Sequence, residues 1–397
     1  MESKYRPTTD VNSGAVNKFM AERGWQGRSC GVCGRTFFFK PSTKMDTTVC
    51  GWQKCAKGDF PFRTFPKRKK MLTPEQISTR MGKYFCSAGF NMATPMNIAN
   101  SEGRTDLVIA GVQMFDDIIH KNKEIREDKM FVAQPCVRMQ FQPQVESQEG
   151  TSTSFVNVCT EKMGAEFCEH LQSVDHWCTI LSNLGLHMND VIIAMRTSDN
   201  NWGTGKFSAL ELFFSYGGLE LGDAAYLLIP QANRPAIPIS DIGFGLERMT
   251  WAVNKTGSYF DTLIPWTAGG TLEMFDSCRT LALIALCGVQ ATNKGPGLQF
   301  RRFAKVLGEK YYGADVYNIL TYYFDYWAQF IRPSIGRGDA IQLARIEIER
   351  FVNLRVYEAL RLPPPRDEMT EAYFNRLVYT HNINIYELRK AIQACKT

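Results

Sequence analysis

No stretch of this chain is an uninterrupted apolar run of the roughly 18 residues that a membrane helix requires, so no membrane partner is expected. The amino terminus, Met1 to Asp10, is polar and lacks the charged-then-apolar layout of a secretory signal. There is no internal repeat and no low-complexity tract, so neither a repeat array nor a biased segment accounts for the chain. Net charge is scarce as well: a formal +6 permits a nucleic-acid partner without requiring one. The cysteines do not suggest a secreted disulfide framework. Of 12, only Cys30, Cys33, Cys50 and Cys55 cluster, and the rest are scattered in apolar stretches as buried core thiols. A reducing cytoplasm is the natural setting.

What is present is enough for a full core. A chain of 397 residues, 44% hydrophobic and 22% charged, divides into two or three domains. Residues 1–70 carry the cysteine cluster and end in a basic run, Lys67-Arg68-Lys69-Lys70, that reads as a linker or solvated face. In the next zone, 71–270, Thr73-Pro74-Glu75-Gln76 combines a cap, a first-position proline and early negative charge, which predicts a helix through about Tyr84. Strand-like runs follow at Met130–Arg138, Val191–Met195, Ala209–Phe214 and Ala224–Ile229, without regular helical crossovers between them. That pattern predicts an α+β fold with an antiparallel sheet flanked by helices. The last zone, 271–397, turns helical, with periodic runs at Thr280–Leu286, Val316–Phe330 and Ala340–Arg361, the last halted by Pro363-Pro364-Pro365.

Cys30-Gly-Val-Cys33 and Cys50-Gly-Trp-Gln-Lys-Cys55 supply two close thiol pairs, the donor set of a closed tetrahedral Zn²⁺ site in a ribbon-like knuckle. The alternative is four reduced thiols packed in a small core, but so short and polar a segment has little else to stabilise it. With every position filled by protein, the zinc would be structural.

The chemistry rests on Asp241-Ile-Gly243-Phe-Gly245-Leu-Glu-Arg248. Its glycines let a strand run tightly into a helix, and an arginine early in that helix is placed to hold a phosphate beside the positive helix end. A glycine-rich joint with one arginine also serves as a plain packing corner. The segment resembles the third signature motif of class II aminoacyl-tRNA synthetases, in the form carried by alanyl-tRNA synthetase. The resemblance implies that Asp241 holds the ammonium of the amino acid and that Arg248 binds the ATP phosphates, with Gly243 and Gly245 part of the same pocket.

Upstream, Ala133-Gln-Pro-Cys-Val-Arg138 resembles the start of the family's second motif, which makes Arg138 the residue that steadies the α-phosphate. Arg104-Thr-Asp-Leu-Val-Ile-Ala-Gly-Val-Gln-Met-Phe resembles the stretch before that motif. Asn201-Trp202-Gly203 resembles a segment lining the adenylate site, with Trp202 as a wall. Gly218 to Tyr226 resembles the strand that touches the alanine side chain, through Asp223 and Ala225. Glu211 and Glu220 are the best-placed carboxylates for Mg²⁺. At the ends, the cysteine module resembles an archaeal amino-terminal module. Asp276-Ser-Cys-Arg279, Thr292 to Gly297 and Arg301-Arg302 resemble the helical domain that reads the tRNA acceptor stem. There Asn293 matches a base-pair-reading asparagine, and Arg301, Arg302 and Lys305 are candidates for phosphate contacts; a plain basic helix face is the competing reading.

Two departures from the family pattern bear on the acceptor. The second-motif loop, Met139 to Thr153, has no basic residue, and an Asp-His pair becomes Asp276-Ser277. The resemblance also stops where the family continues into an editing domain. The expectation is therefore ATP-dependent activation of a small amino acid, alanine first, as an adenylate. A non-tRNA small molecule, as in specialised antibiotic-type biosynthesis, is the favoured acceptor. A compact tRNA-charging enzyme is the alternative, and a non-catalytic RNA-binding paralogue the third reading. Class II relatives commonly dimerise, so a homodimer is possible.

Overall fold

The Thr73 hydroxyl accepts a hydrogen bond from the Gln76 backbone N–H while the Gln76 side chain accepts from the Thr73 N–H, a reciprocal cap that starts a helix at Pro74. This computed structural model describes residues 9–394 except 53, 57–59, 100–104, 122–127, 148, 203–204, 232–233, 264–269, 362 and 367. Two compact units divide the chain. The first comprises Met1–Pro95, Ala110–Gln134 and Phe155–Pro265, the second Met96–Ile109, Pro135–Ser154 and Trp266–Thr397.

Nine strands make one sheet: β1 (Gln26–Ser29), β2 (Thr36–Phe39), β3 (Asn91–Met92), β4 (Met130–Val137), β5 (Ser154–Met163), β6 (Val191–Trp202), β7 (Gly205–Tyr216), β8 (Leu219–Gln231) and β9 (Arg234–Gly245). Their spatial order is β1-β2-β6-β7-β8-β9-β5-β4-β3. The pairs β1·β2, β2·β6, β6·β7, β7·β8, β8·β9 and β5·β9 are antiparallel, and β3·β4 is parallel. The fold is thus α+β with a mostly antiparallel sheet, as the strand-like runs predict. Those runs are extended by pairing: the one ending at Met195 continues to Trp202, whereas the one reaching Arg138 stops at Val137.

The helices of the first unit are α1 (Thr9–Glu22), α2 (Pro74–Ser87), α3 (Asp116–Lys121), α4 (Phe167–Asn183) and α5 (Leu246–Asn254). One face of the sheet is sealed by aromatics. Trp177 of α4 stacks on Phe244 of β9 at 4.4 Å and 11°, and its indole N–H donates to Thr160 of β5 at 2.7 Å. Residues opposed across a ladder share a face, and successive residues alternate. The other face therefore carries a row running from Arg196 through Glu211, Ala225 and Asp241 to Glu161, on five adjacent strands. Beside the row, Leu227, Ile229, Ile239 and Met163 pack with Val112, Phe115 and Ile118 into an apolar cluster.

The second unit holds the helices α6 (Leu272–Leu286), α7 (Gly295–Lys310), α8 (Ala314–Trp327), α9 (Arg337–Leu360), α10 (Thr370–His381) and α11 (Ile385–Ala394). Arg279 of α6 is buried beneath the rings of Tyr326 and Trp327, each 4.4 Å from its guanidinium carbon. Helices α7 and α9 approach closely at Gly308, where a Cβ would fall 2.5 Å from the Ile348 carbonyl oxygen. Helix α9 ends at Leu360, and Arg361 takes the left-handed conformation just before the prolines.

Candidate active site

Strand β9 hands over to helix α5 at Gly245, which occupies the cap position, so Arg248 sits in the first helical turn. Its guanidinium donates to the Glu220 carbonyl at 3.1 Å and lies 3.8 Å from the Glu220 carboxylate. The joint is tied down by a residue that sequence reasoning passes over. Glu247 is buried, and its two carboxylate oxygens accept from the Val156 N–H at 3.1 and 3.0 Å, fastening α5 to β5. At the other end of α5, the Asn254 amide brackets the Leu72 backbone at 2.9 and 2.8 Å.

Asp241 stands between Ala225 of β8 and Glu161 of β5 in register. One ladder step away, Gly243 stands between Asp223 and Cys159. Gly243 has no room for a side chain, because a Cβ there would lie 2.7 Å from the Asn157 carboxamide oxygen. With only Ala225 and Gly243 between its acids, this part of the face is a small, negatively charged floor. Glu161 is the member that sequence reasoning misses. It is 1% exposed, and neither carboxylate oxygen finds a hydrogen-bond donor among the described residues. Burial, then the charge and contact of Asp241 and the charge of Asp223, hold its carboxyl well above the usual carboxylate range. Gly111 closes over it: a Cβ there would come 2.2 Å from Cys159 Sγ and 3.1 Å from Glu161 Oε1.

The other sequence candidates in this unit are dispersed along the sheet. Glu211 is held by Arg196 through two hydrogen bonds of 2.9 Å and by Ser198 at 2.7 Å. Glu220 makes no side-chain hydrogen bond among the described residues. Trp202 is the last residue of β6, opposite Gly205, while its side chain lies outside the described residues, as do Gly203 and Arg104.

In the second unit, the Arg138 Nε donates to the Ile109 carbonyl at 2.9 Å, and its guanidinium faces the Phe141 ring at 6.0 Å. The loop after it folds as a 3-10 turn, Met139–Gln144. Asp276 is buried and accepts hydrogen bonds from both the backbone N–H and the hydroxyl of Thr153. Burial lifts its carboxyl to about 6 against the opposing pull of those bonds. Asn293 accepts from Arg301, which also pairs with the buried Glu347 at 3.1 Å. Arg302 donates to Gln299 at 3.2 Å, and Lys305 pairs with Glu309 at 3.7 Å.

The cysteine module is built by the β1·β2 hairpin and the loop after it. The Sγ atoms of Cys30, Cys33, Cys50 and Cys55 all lie within 4.8 Å of one another, with Cys33 and Cys50 3.6 Å apart. A tetrahedral zinc with bonds of ~2.3 Å requires sulfur separations of ~3.8 Å, so the four residues fit that ion. Burial raises the Cys30 thiol, but backbone N–H donors from Cys33, Val32 and Cys50 outweigh it and bring the pKa down to about 6. Burial pushes Cys55 up to about 11. Phe37, Phe39, Ile192 and Ala194 share one apolar cluster with Cys30, Cys50 and Cys55, so the knuckle is packed onto the edge of the sheet.

By sequence, this chain is similar to aminoacyl-tRNA ligases. More particularly, it is similar to the alanine–tRNA ligases of archaea. The ligase of Halobacterium salinarum is 21% identical over 95% of this chain and 44% of its own length. That of Archaeoglobus fulgidus is 22% identical over 62% and 28%, and that of Natronomonas pharaonis 21% over 62% and 29%. The chain therefore spans less than half the length of the relatives it matches. No family model matches. Among solved structures, the pyrrolysyl-tRNA synthetase of Desulfitobacterium hafniense is similar at a TM-score of 0.33 and 16% identity, over 46% of this chain and 67% of that one.

Proposed function

We propose that this chain activates a small amino acid, alanine first, with ATP, and passes the aminoacyl group to an acceptor. In the first step a carboxylate oxygen of the amino acid attacks the α-phosphorus of ATP. A mixed anhydride forms as the bond to pyrophosphate breaks. In the second, a nucleophile of the acceptor attacks the carbonyl carbon and AMP leaves with the bonding pair. Asp241 binds the ammonium, and the small Ala225 opposite it suits a methyl-sized side chain. Arg248 binds the ATP phosphates and Arg138 stabilises charge gathering on the α-phosphate. Mg²⁺ brought in with ATP would neutralise phosphate charge. Glu220 suits that ion better than Glu211, both of whose oxygens are engaged by Arg196.

The observation that carries the reading is the register that sets Asp241 beside Ala225, with Gly243 two residues on, leading directly into the Gly245–Arg248 joint. The likeness to alanine–tRNA ligases supports the same amino acid. For the acceptor, the loop without basic side chains and the pairing of Arg301 with Glu347 favour a small molecule over tRNA. The tRNA alternative draws on Asn293 and the helical second unit.

The test is amino-acid-dependent ATP–pyrophosphate exchange across the twenty amino acids without tRNA, followed by transfer assays with tRNA. Exchange with one small amino acid supports activation. Silence with all twenty, together with no ATP binding by calorimetry, overturns it in favour of a binding module. Efficient charging of tRNA would overturn the small-molecule acceptor.

A further inference from the structure

Away from the acidic floor, the first unit contains a cavity of about 610 Å³. The loop of the cysteine module lines one side through Met45 and Val49. The ends of the sheet line the other through Asp190, Ile192 and Tyr216, and Lys255 closes it from the end of α5. Its size lies within the range of roughly 300 to 1,000 Å³ typical of small-molecule sites.

Lys255 is unusual among the charged residues. It is 5% exposed, and its ammonium has no hydrogen-bond or ion-pair partner among the described residues. Its ammonium lies over the Tyr216 ring, 5.8 Å from the centroid. Its backbone is left-handed, with φ 54°, closing α5 through an N–H bond to the Trp251 carbonyl at 2.7 Å, so the side chain is presented from a fixed cap. Asp190 lines the same cavity, and its carboxylate also makes no hydrogen bond or ion pair among the described residues. The two charges feel each other among other neighbours: Arg68 lowers the lysine pKa and Asp190 raises it, while His187, Lys255 and Lys44 lower that of the aspartate. In both, desolvation by burial acts first, lowering the lysine and raising the aspartate. They do not touch. Opposite charges bordering one cavity without meeting leave a gap that a molecule with both charges would fill.

We propose that this cavity binds an amphiphilic zwitterion of dipeptide size, its carboxylate on Lys255, its ammonium on Asp190 and its apolar side chains against Met45, Val49 and Ile192. The site is separate from the proposed activation chemistry and uses none of its residues.

Calorimetry of the full, metal-loaded chain with leucyl-phenylalanine tests this. The dipeptide should bind saturably at one site per chain. Capping either end, as N-acetyl-leucyl-phenylalanine or leucyl-phenylalaninamide, should weaken binding about tenfold or more. Lys255→Met should erase the preference for the free carboxylate, and Asp190→Asn the preference for the free amine. Because the capped probes need no variant, a misfolded substitution leaves the test intact. No saturable binding, or equal binding of all three probes, overturns the proposal. So does loss of binding on Asp241→Ala alone, which would put the dipeptide on the acidic floor instead.

Discussion

Glu161 and Asp241 stand directly opposite each other on β5 and β9, two carboxylates in contact with no donor assigned to Glu161. Burial and the charge of Asp241 both favour the neutral form of Glu161. In that form Glu161 would offer its proton to Asp241 and so orient the carboxylate proposed to hold the ammonium.

A stability effect of definite sign follows. A carboxyl raised above its unfolded value contributes stability that is complete at low pH and is lost as pH rises through the folded value. Glu161→Gln, which stays neutral and keeps a donor, should match the native chain at pH 4 and melt above it at pH 8. Glu161→Leu, which loses the donor, should raise the amino-acid KM in exchange more than Glu161→Gln does. Melting curves across pH and the two KM values check this.

Asp241 and Arg248 should separate in kinetics. Asp241→Asn is expected to raise the amino-acid KM by about 10- to 100-fold, the value of a charged hydrogen bond, with the ATP KM little changed. Arg248→Ala should instead weaken ATP use, by about 10²-fold or more. Exchange assays varying one substrate at a time distinguish the two, and the reverse pattern would exchange their assignments.

Metal analysis should return one zinc per chain. Cys50→Ser, or chelation at neutral pH, should lower the melting temperature and release the ion, because the ligands share a core with Phe37 and Ile192. Metal-free protein with four reduced thiols and unchanged melting would show the thiols to be core residues only.

Asp276 anchors Thr153 from α6. Asp276→Ala leaves the Thr153 N–H and hydroxyl without their acceptor and should cost about 1–3 kcal/mol by denaturant unfolding. With its carboxyl raised to about 6, the stability it contributes is complete at low pH and falls as pH rises through that value, so Asp276→Asn should flatten the profile there.

The sequence is most informative where local chemistry is decisive. The paired thiols, the Thr73 cap and the glycines before Arg248 each need only a few neighbouring residues to be read. Glu161 is invisible by that route: its burial comes from Gly111 crossing over β5, and its partner is set by register, neither of which leaves a local pattern. Strand β9 is hidden by Pro235 and Pro238, residues that argue against a strand so deep in a sheet. The run beginning at Val191 stops reading as a strand at Met195 because Arg196 to Asn201 is polar; pairing with β7 carries it on. Helices α10 and α11 lie beyond the proline stop, and their small core of Val356, Tyr373, Leu377 and Leu388 draws on three helices at once.

The hairpin that carries the cysteines also has a protective consequence. Phe37 to Phe39 of β2 occupy the outer hydrogen-bonding edge of β6 at Ile192 to Ala194, and β1 beyond them is four residues long and exposed throughout. The apolar edge residues Ile192 to Ala194 are thereby covered, and the edge left outside them is short and polar. Stripping the ion would loosen that cover and lay open a β-branched template for strand addition by another chain. The first sign of metal loss would then be self-association, before any change at the acidic floor.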